Sequence, residues 1–127
     1  MTYLIDVYGT VIDETTNIAY SDAVQLLHAL GNEAILISRA DSREEILAAL
    51  PGVPRLTILL TGGGSKADFL ALHPHLVPSS TIFVDDSPDQ LEGMMEQFPH
   101  VKLFEMRRDG GLGDGRFQVV RSLSELP

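Results

Sequence analysis

Seven residues of this chain have the types and placement to do chemistry together: Asp6, Tyr8, Thr10, Ser38, Lys66, Asp85 and Asp86. Asp6 closes the apolar run Tyr3-Leu4-Ile5, Ser38 closes Ala34-Ile35-Leu36-Ile37, and Asp85-Asp86 close Thr81-Ile82-Phe83-Val84. Lys66 opens the helical stretch that follows the run Leu56–Leu60. Two or three carboxylates at one rim repel one another unless a cation sits between them. Oxygen ligands without His or Cys select a hard ion such as Mg²⁺. A hydroxyl and a lysine beside such a cation suit the oxygens of a phosphoryl group. A carboxylate in those surroundings is a nucleophile for phosphoryl transfer, so the residues predict attack of Asp6 on phosphorus.

That reading requires the four stretches to converge, and the element pattern says how. Short, continuous apolar runs at Leu4–Val7, Ala34–Ile37, Leu56–Leu60 and Thr81–Val84 alternate with stretches of helical spacing. Ser21–Leu30 is one such stretch, closed by Gly31. Ser42 with Glu45 forms a capping-box pattern before Ile46, Leu47 and Leu50, and Pro51-Gly52 stops the helix. Ser65 caps a helix bearing Phe69, Leu70 and Leu72, which stops at Pro74. Ser87, Pro88 and Gln90 read as cap, first-turn proline and capping-box partner for a helix lined by Leu91, Met94, Met95 and Phe98. Val101–Phe104 and Phe117–Val120 read as closing strands, with the glycine-rich Arg107–Gly115 a mobile loop between them. Continuous apolar strands separated by amphipathic helices imply a parallel sheet covered on both faces, an α/β, Rossmann-like, three-layer α/β/α fold in one domain spanning residues 1–127. Ligands of such sheets lie beyond the carboxyl ends of the strands, where strand order reverses.

The motifs in this order resemble the haloacid dehalogenase-like (HAD) superfamily, over roughly residues 2–106. Asp6-Val7-Tyr8-Gly9-Thr10-Val11-Ile12-Asp13 is similar to its first motif, a nucleophilic aspartate followed by x-D-G-T-x-x-D. Ser38 matches the second motif, Lys66 the third, and Phe83-Val84-Asp85-Asp86-Ser87-Pro88 the fourth. The resemblance implies Asp6 as nucleophile and metal ligand. It implies the Tyr8 carbonyl and the Asp86 carboxylate as further Mg²⁺ ligands, with Asp85 in or beside the outer shell. Ser38 and Lys66 would bind phosphate, and Thr10 would orient the first loop. Val11–Tyr20 would be a small flap hairpin after the first strand. The short interval between Asp6 and Ser38 leaves no room for a cap domain.

One position departs from the pattern. The phosphatases of that family carry a second aspartate, the acid and base, where this chain has Tyr8. Tyrosine, with a pKa of about 10, is a poor base near neutral pH. The resemblance therefore implies a slow Mg²⁺-dependent phosphatase, with a catalytically degenerate binding or regulatory protein as the alternative. A dehalogenase-type hydrolase is a third option, because Asp-x-Tyr-Gly-Thr is the first motif of the family's 2-haloacid dehalogenases. Against it stand the missing cap and the Asp85-Asp86 pair, which would repel an anionic haloacid. Capless members have open sites, which implies a substrate that is a macromolecular phosphate ester, or a small one enclosed by a neighbouring subunit of a homo-oligomer.

Composition narrows the partners. Eighteen acidic against nine basic residues give a net charge of −9, which argues against binding a nucleic-acid backbone. No cysteine is present, so disulfides and thiolate metal sites are excluded. No apolar run approaches the roughly 20 residues of a membrane span, and the N-terminus lacks a basic leader, so a cytoplasmic location is expected. Gly62-Gly63-Gly64-Ser65-Lys66 fails the phosphate-loop spacing, since Ala67 stands where a hydroxyl is needed; it reads as a flexible turn. The acidic pair is also known from response-regulator receivers, but there it opens the domain. His28, His73, His75 and His100 lack metal-ligand spacing.

Overall fold

In a computed structural model covering Met1–Pro127, side-chain alternation along the strands builds the layers. Six strands run parallel: β1 (Thr2–Asp6), β2 (Ala34–Ser38), β3 (Thr57–Leu60), β4 (Thr81–Asp85), β5 (Lys102–Met106) and β6 (Gln118–Val120). Their order across the sheet is β3-β2-β1-β4-β5-β6, the doubly wound Rossmann-like arrangement. Because successive strand residues face opposite sides, Tyr3 and Ile5, Leu36, Ile82 and Val84 join one core cluster. Leu4, Ile37 and Phe83 join the other. Helices α1 (Ser21–Leu30) and α2 (Arg43–Ala49) cover the first face through Ala23, Leu27 and Ile46. Helices α3 (Lys66–Ala71) and α4 (Pro88–Gln97) cover the second through Ala67, Leu70, Leu91 and Met94. The result is the expected three-layer α/β/α sheet, and no helix is long and apolar enough to cross a membrane.

Local chemistry fixes most boundaries. Gly31 ends α1 with φ +56°, a conformation that glycine adopts without strain. Ser42 and Ser65 accept hydrogen bonds from the amides of Glu45 and Asp68, capping α2 and α3. Ser87 behaves differently from the expectation: its side chain caps nothing, although α4 starts there with Pro88. Its amide instead donates to Asp85 Oδ1, and Gln90 Oε1 accepts from the Lys66 amide. The Gln90 contact ties α4 to α3 at the site, while the Ser87 amide contact is a local turn after β4. Three expected core residues, Leu47, Leu72 and Met95, are exposed instead, each at the edge of an otherwise buried stripe.

Between β1 and α1 the chain doubles back. The Tyr20 amide donates to the Val11 carbonyl and the Asp13 amide to the Ile18 carbonyl, and an antiparallel bridge joins Ile12 and Ala19. Asp13 Oδ1 accepts from the amides of Thr15 and Thr16, which closes the turn.

Candidate active site

The site forms at the break in strand order between β1 and β4. Ile5 pairs with Val84, so Asp6 and Asp85 stand side by side one position further, at the carboxyl ends of both strands. Period-two alternation puts both on the face of Leu4 and Phe83, the face covered by α3 and α4. The first residue of α3 on that face is Lys66. Its ammonium lies 2.6 Å from Asp6 Oδ1 and 2.6 Å from Asp85 Oδ2. All three side chains are buried, the most exposed of them at 8%.

A lysine in the first turn of a helix opposes the helix dipole and loses hydration when buried. Burial alone would lower its pKa, but the charges and hydrogen bonds of Asp6 and Asp85 outweigh that and raise it, so the ammonium stays charged. Asp85 is pushed up to about 6, first by burial and then by the charge of Asp6, against the pull of Lys66 and the Ser87 amide. Asp86 is pushed up to about 8, by burial first and then by Asp6 and Asp85. One ammonium for three carboxylates leaves the rim short of positive charge.

Carboxylate oxygens of Asp6, Asp85 and Asp86 come within 4.8 Å of one another, close enough to share a cation. The donor set fits a hard divalent ion such as Mg²⁺, being all oxygen and electrically deficient in cation. The three differ in what else they do. Asp85 has one oxygen on Lys66 and the other on the Ser87 amide. Asp6 likewise has one oxygen on Lys66 and the other on the Thr10 hydroxyl, whereas Asp86, half-buried, accepts from no protein N–H or hydroxyl and is the open carboxylate of the three.

The loop after β1 is wound around one carbonyl: Val7 accepts from the amides of Thr10, Val11 and Ile12. Gly9 makes this turn with φ +87°. Within it, the buried Thr10 hydroxyl donates to Asp6 Oδ2 at 3.0 Å. Ser38, buried at the end of β2, accepts from the Ala40 amide. A cavity of about 280 Å³ opens onto these groups, lined among others by Asp6, Tyr8, Ser38, Lys66 and Asp86. The structure therefore brings together the side chains of Asp6, Ser38, Lys66, Asp85 and Asp86, with Thr10 behind Asp6 and Tyr8 in the cavity wall. Burial, with a smaller effect from Glu45, raises the Tyr8 pKa above its ordinary value, so the phenol keeps its proton at neutral pH.

Sequence reasoning missed several neighbours. Gln90 holds the Lys66 backbone, and Arg39 and Glu14 line the cavity. Arg108 reaches back from the loop after β5: it donates to the Thr10 carbonyl at 2.7 Å and to both oxygens of Asp22 at 2.8 and 2.9 Å. Its guanidinium lies 3.8 Å over the Tyr20 ring. The adjacency of Arg39 to Ser38 was a usable signal; nothing local in the sequence links Arg108 to Thr10.

Compared with known proteins, the chain matches no family model, no curated protein and no solved structure.

Proposed function

We propose that this protein is a capless HAD-like phosphohydrolase that forms an aspartyl-phosphate on Asp6 and releases it slowly. The carrying observation is the Lys66 ammonium at 2.6 Å from both Asp6 and Asp85, with Asp86 beside them at the β1–β4 switch point. In this reading the doubled-back segment Val11–Tyr20 is the flap. The site would be open, as a capless member's is.

Asp6, Asp86 and the Tyr8 carbonyl would hold Mg²⁺, with Asp85 next to them. When bound, the ion would neutralise charge on the phosphoryl oxygens. Lys66 and the Ser38 hydroxyl bind those oxygens, and Thr10 fixes the Asp6 carboxylate for attack. An Asp6 oxygen bonds to phosphorus as the ester P–O bond breaks. The electron pair leaves with the ester oxygen, which takes up a proton. The protonated Tyr8 phenol is positioned in the cavity wall to give that proton. Water then attacks phosphorus, the bond to Asp6 breaks, and inorganic phosphate leaves. The phenolate left by the first transfer takes a proton back from solvent, its pKa lying above the ordinary tyrosine value. When the second step needs a base, only a protonated phenol is present, and that is a poor one. Loss of a general base costs roughly 10²–10⁴-fold, so hydrolysis of the Asp6 intermediate is the slow step.

The test is an aryl phosphate with Mg²⁺, followed by intact mass and product release. The wild type is expected to gain one phosphoryl group and turn over slowly, Asp6→Asn to gain none, and Tyr8→Asp to turn over much faster. The protonated Tyr8 also favours a second reading, a degenerate member that binds without turnover. Neither phosphorylation nor Mg²⁺ binding, with no gain in Tyr8→Asp, would select it. Halide release from a 2-haloacid without metal would select a dehalogenase instead.

A further inference from the structure

Among the charged groups lining the cavity, the cations are Lys66 and Arg39, and Lys66 is spent on Asp6 and Asp85. Arg39 is not spent. None of the acidic side chains forms an ion pair with it, in a chain that has eighteen of them. Its Nε and Nη2 both donate to the Gly63 carbonyl, at 3.1 and 2.8 Å, while Nη1 has no partner.

The carbonyl is held in place for this contact. Gly63 has φ +90° and Gly62 φ +70°, conformations that suit glycine. The Thr61 hydroxyl donates to the Gly64 carbonyl at 2.8 Å, and the Thr61 amide to the Ser38 carbonyl at 2.9 Å. The glycine turn is thus tied to the end of β2, where Ser38 and Arg39 sit. A carboxylate in place of that carbonyl would neutralise the guanidinium; the carbonyl orients it and leaves its charge available. A fixed guanidinium with free N–H groups recognises an oxyanion, and prior orientation lowers the cost of doing so.

We infer that Arg39 is a specificity residue for a second oxyanion, so that the substrate is a small phosphate ester carrying a carboxylate or a further phosphate near the scissile group. This rests on the phosphoryl site proposed above, with Ser38 and Lys66 taking the first anion and Arg39 the second.

Calorimetry on the full chain with Mg²⁺ would compare methylphosphonate, phosphonoacetate and ethane-1,2-bisphosphonate. One of the two probes that carry a second oxyanionic group is expected to bind about tenfold more tightly than methylphosphonate. The tighter of the two identifies carboxylate or phosphate as the second group. Arg39→Gln should erase the preference and Arg39→Lys restore part of it, and the comparison also removes any contribution from metal chelation by the probe. Equal binding of all three, or a preference undiminished in Arg39→Gln, would overturn the inference while leaving the phosphoryl site standing. Failure of all three to bind would overturn the phosphoryl site, and the inference with it.

Discussion

Asp86 occupies the space directly over the α-carbon of Gly9: a β-carbon there would lie 2.1 Å from Asp86 Oδ2. The positive φ at Gly9 adds strain for any other residue. Two strand ends therefore approach as closely as a missing side chain permits, and this proximity places Asp86 beside Asp6. Gly9→Ala should displace Asp86 and weaken Mg²⁺ binding by at least about tenfold, on the order of 1.4 kcal/mol. Calorimetric titration with Mg²⁺ checks it; unchanged affinity would separate Asp86 from the ion.

Lys66 neutralises two buried carboxylates at once. Lys66→Met leaves Asp6 and Asp85 without their cation, a change that typically costs about 3–5 kcal/mol. Denaturant unfolding without metal should show that loss, and added Mg²⁺ should recover part of it. Phosphorylation of Asp6 should fall in the same variant even where the fold is retained.

The raised carboxyl pKa values set a pH dependence. Asp85 and Asp86 titrate at about 6 and about 8 in the fold, against 3.8 ordinarily. Between about pH 4 and pH 8 the native metal-free state therefore holds more protons than the unfolded chain, and stability falls as pH rises. Thermal unfolding of the metal-free protein should show Tm decreasing through this window. Mg²⁺ should flatten the decrease and release protons on binding, measurable as a buffer-dependent heat.

Arg108 joins the first loop to α1 and the C-terminal turn, because Asp22 also accepts the Leu123 amide at 2.8 Å. Burial would raise the Asp22 pKa, but the hydrogen bonds from Arg108 and Leu123 win and hold it low. A lowered carboxyl contributes stability above its unfolded pKa and loses it as pH falls through the folded one. Arg108→Met should destabilise by about 1–3 kcal/mol at neutral pH, and by less in acid. Denaturant curves at both pH values measure the difference.

The legible parts of this fold were those set by local rules. The continuous apolar run Tyr3-Leu4-Ile5 and the helical spacing of Ser21–Leu30 before Gly31 needed no distant residue, and the strand-end acids followed from where the apolar runs stop. Gln90 was misread because its partner, the Lys66 amide, lies in another helix; the Ser87 side chain caps nothing, and its amide is taken by the nearby Asp85 Oδ1. Met95, Leu47 and Leu72 have core chemistry but fall at the margin of their stripes. The Arg108 clamp spans most of the chain, from Thr10 and Asp22, and no periodicity encodes it.

The most direct measurement is a crystal structure of the protein with Mg²⁺ and aluminium fluoride. The ion is expected between Asp6 and Asp86, with the fluoride group against Asp6 and within reach of Ser38 and Lys66. An ion bound away from both carboxylates, or a fluoride group absent from Asp6 at saturating concentration, would contradict this arrangement.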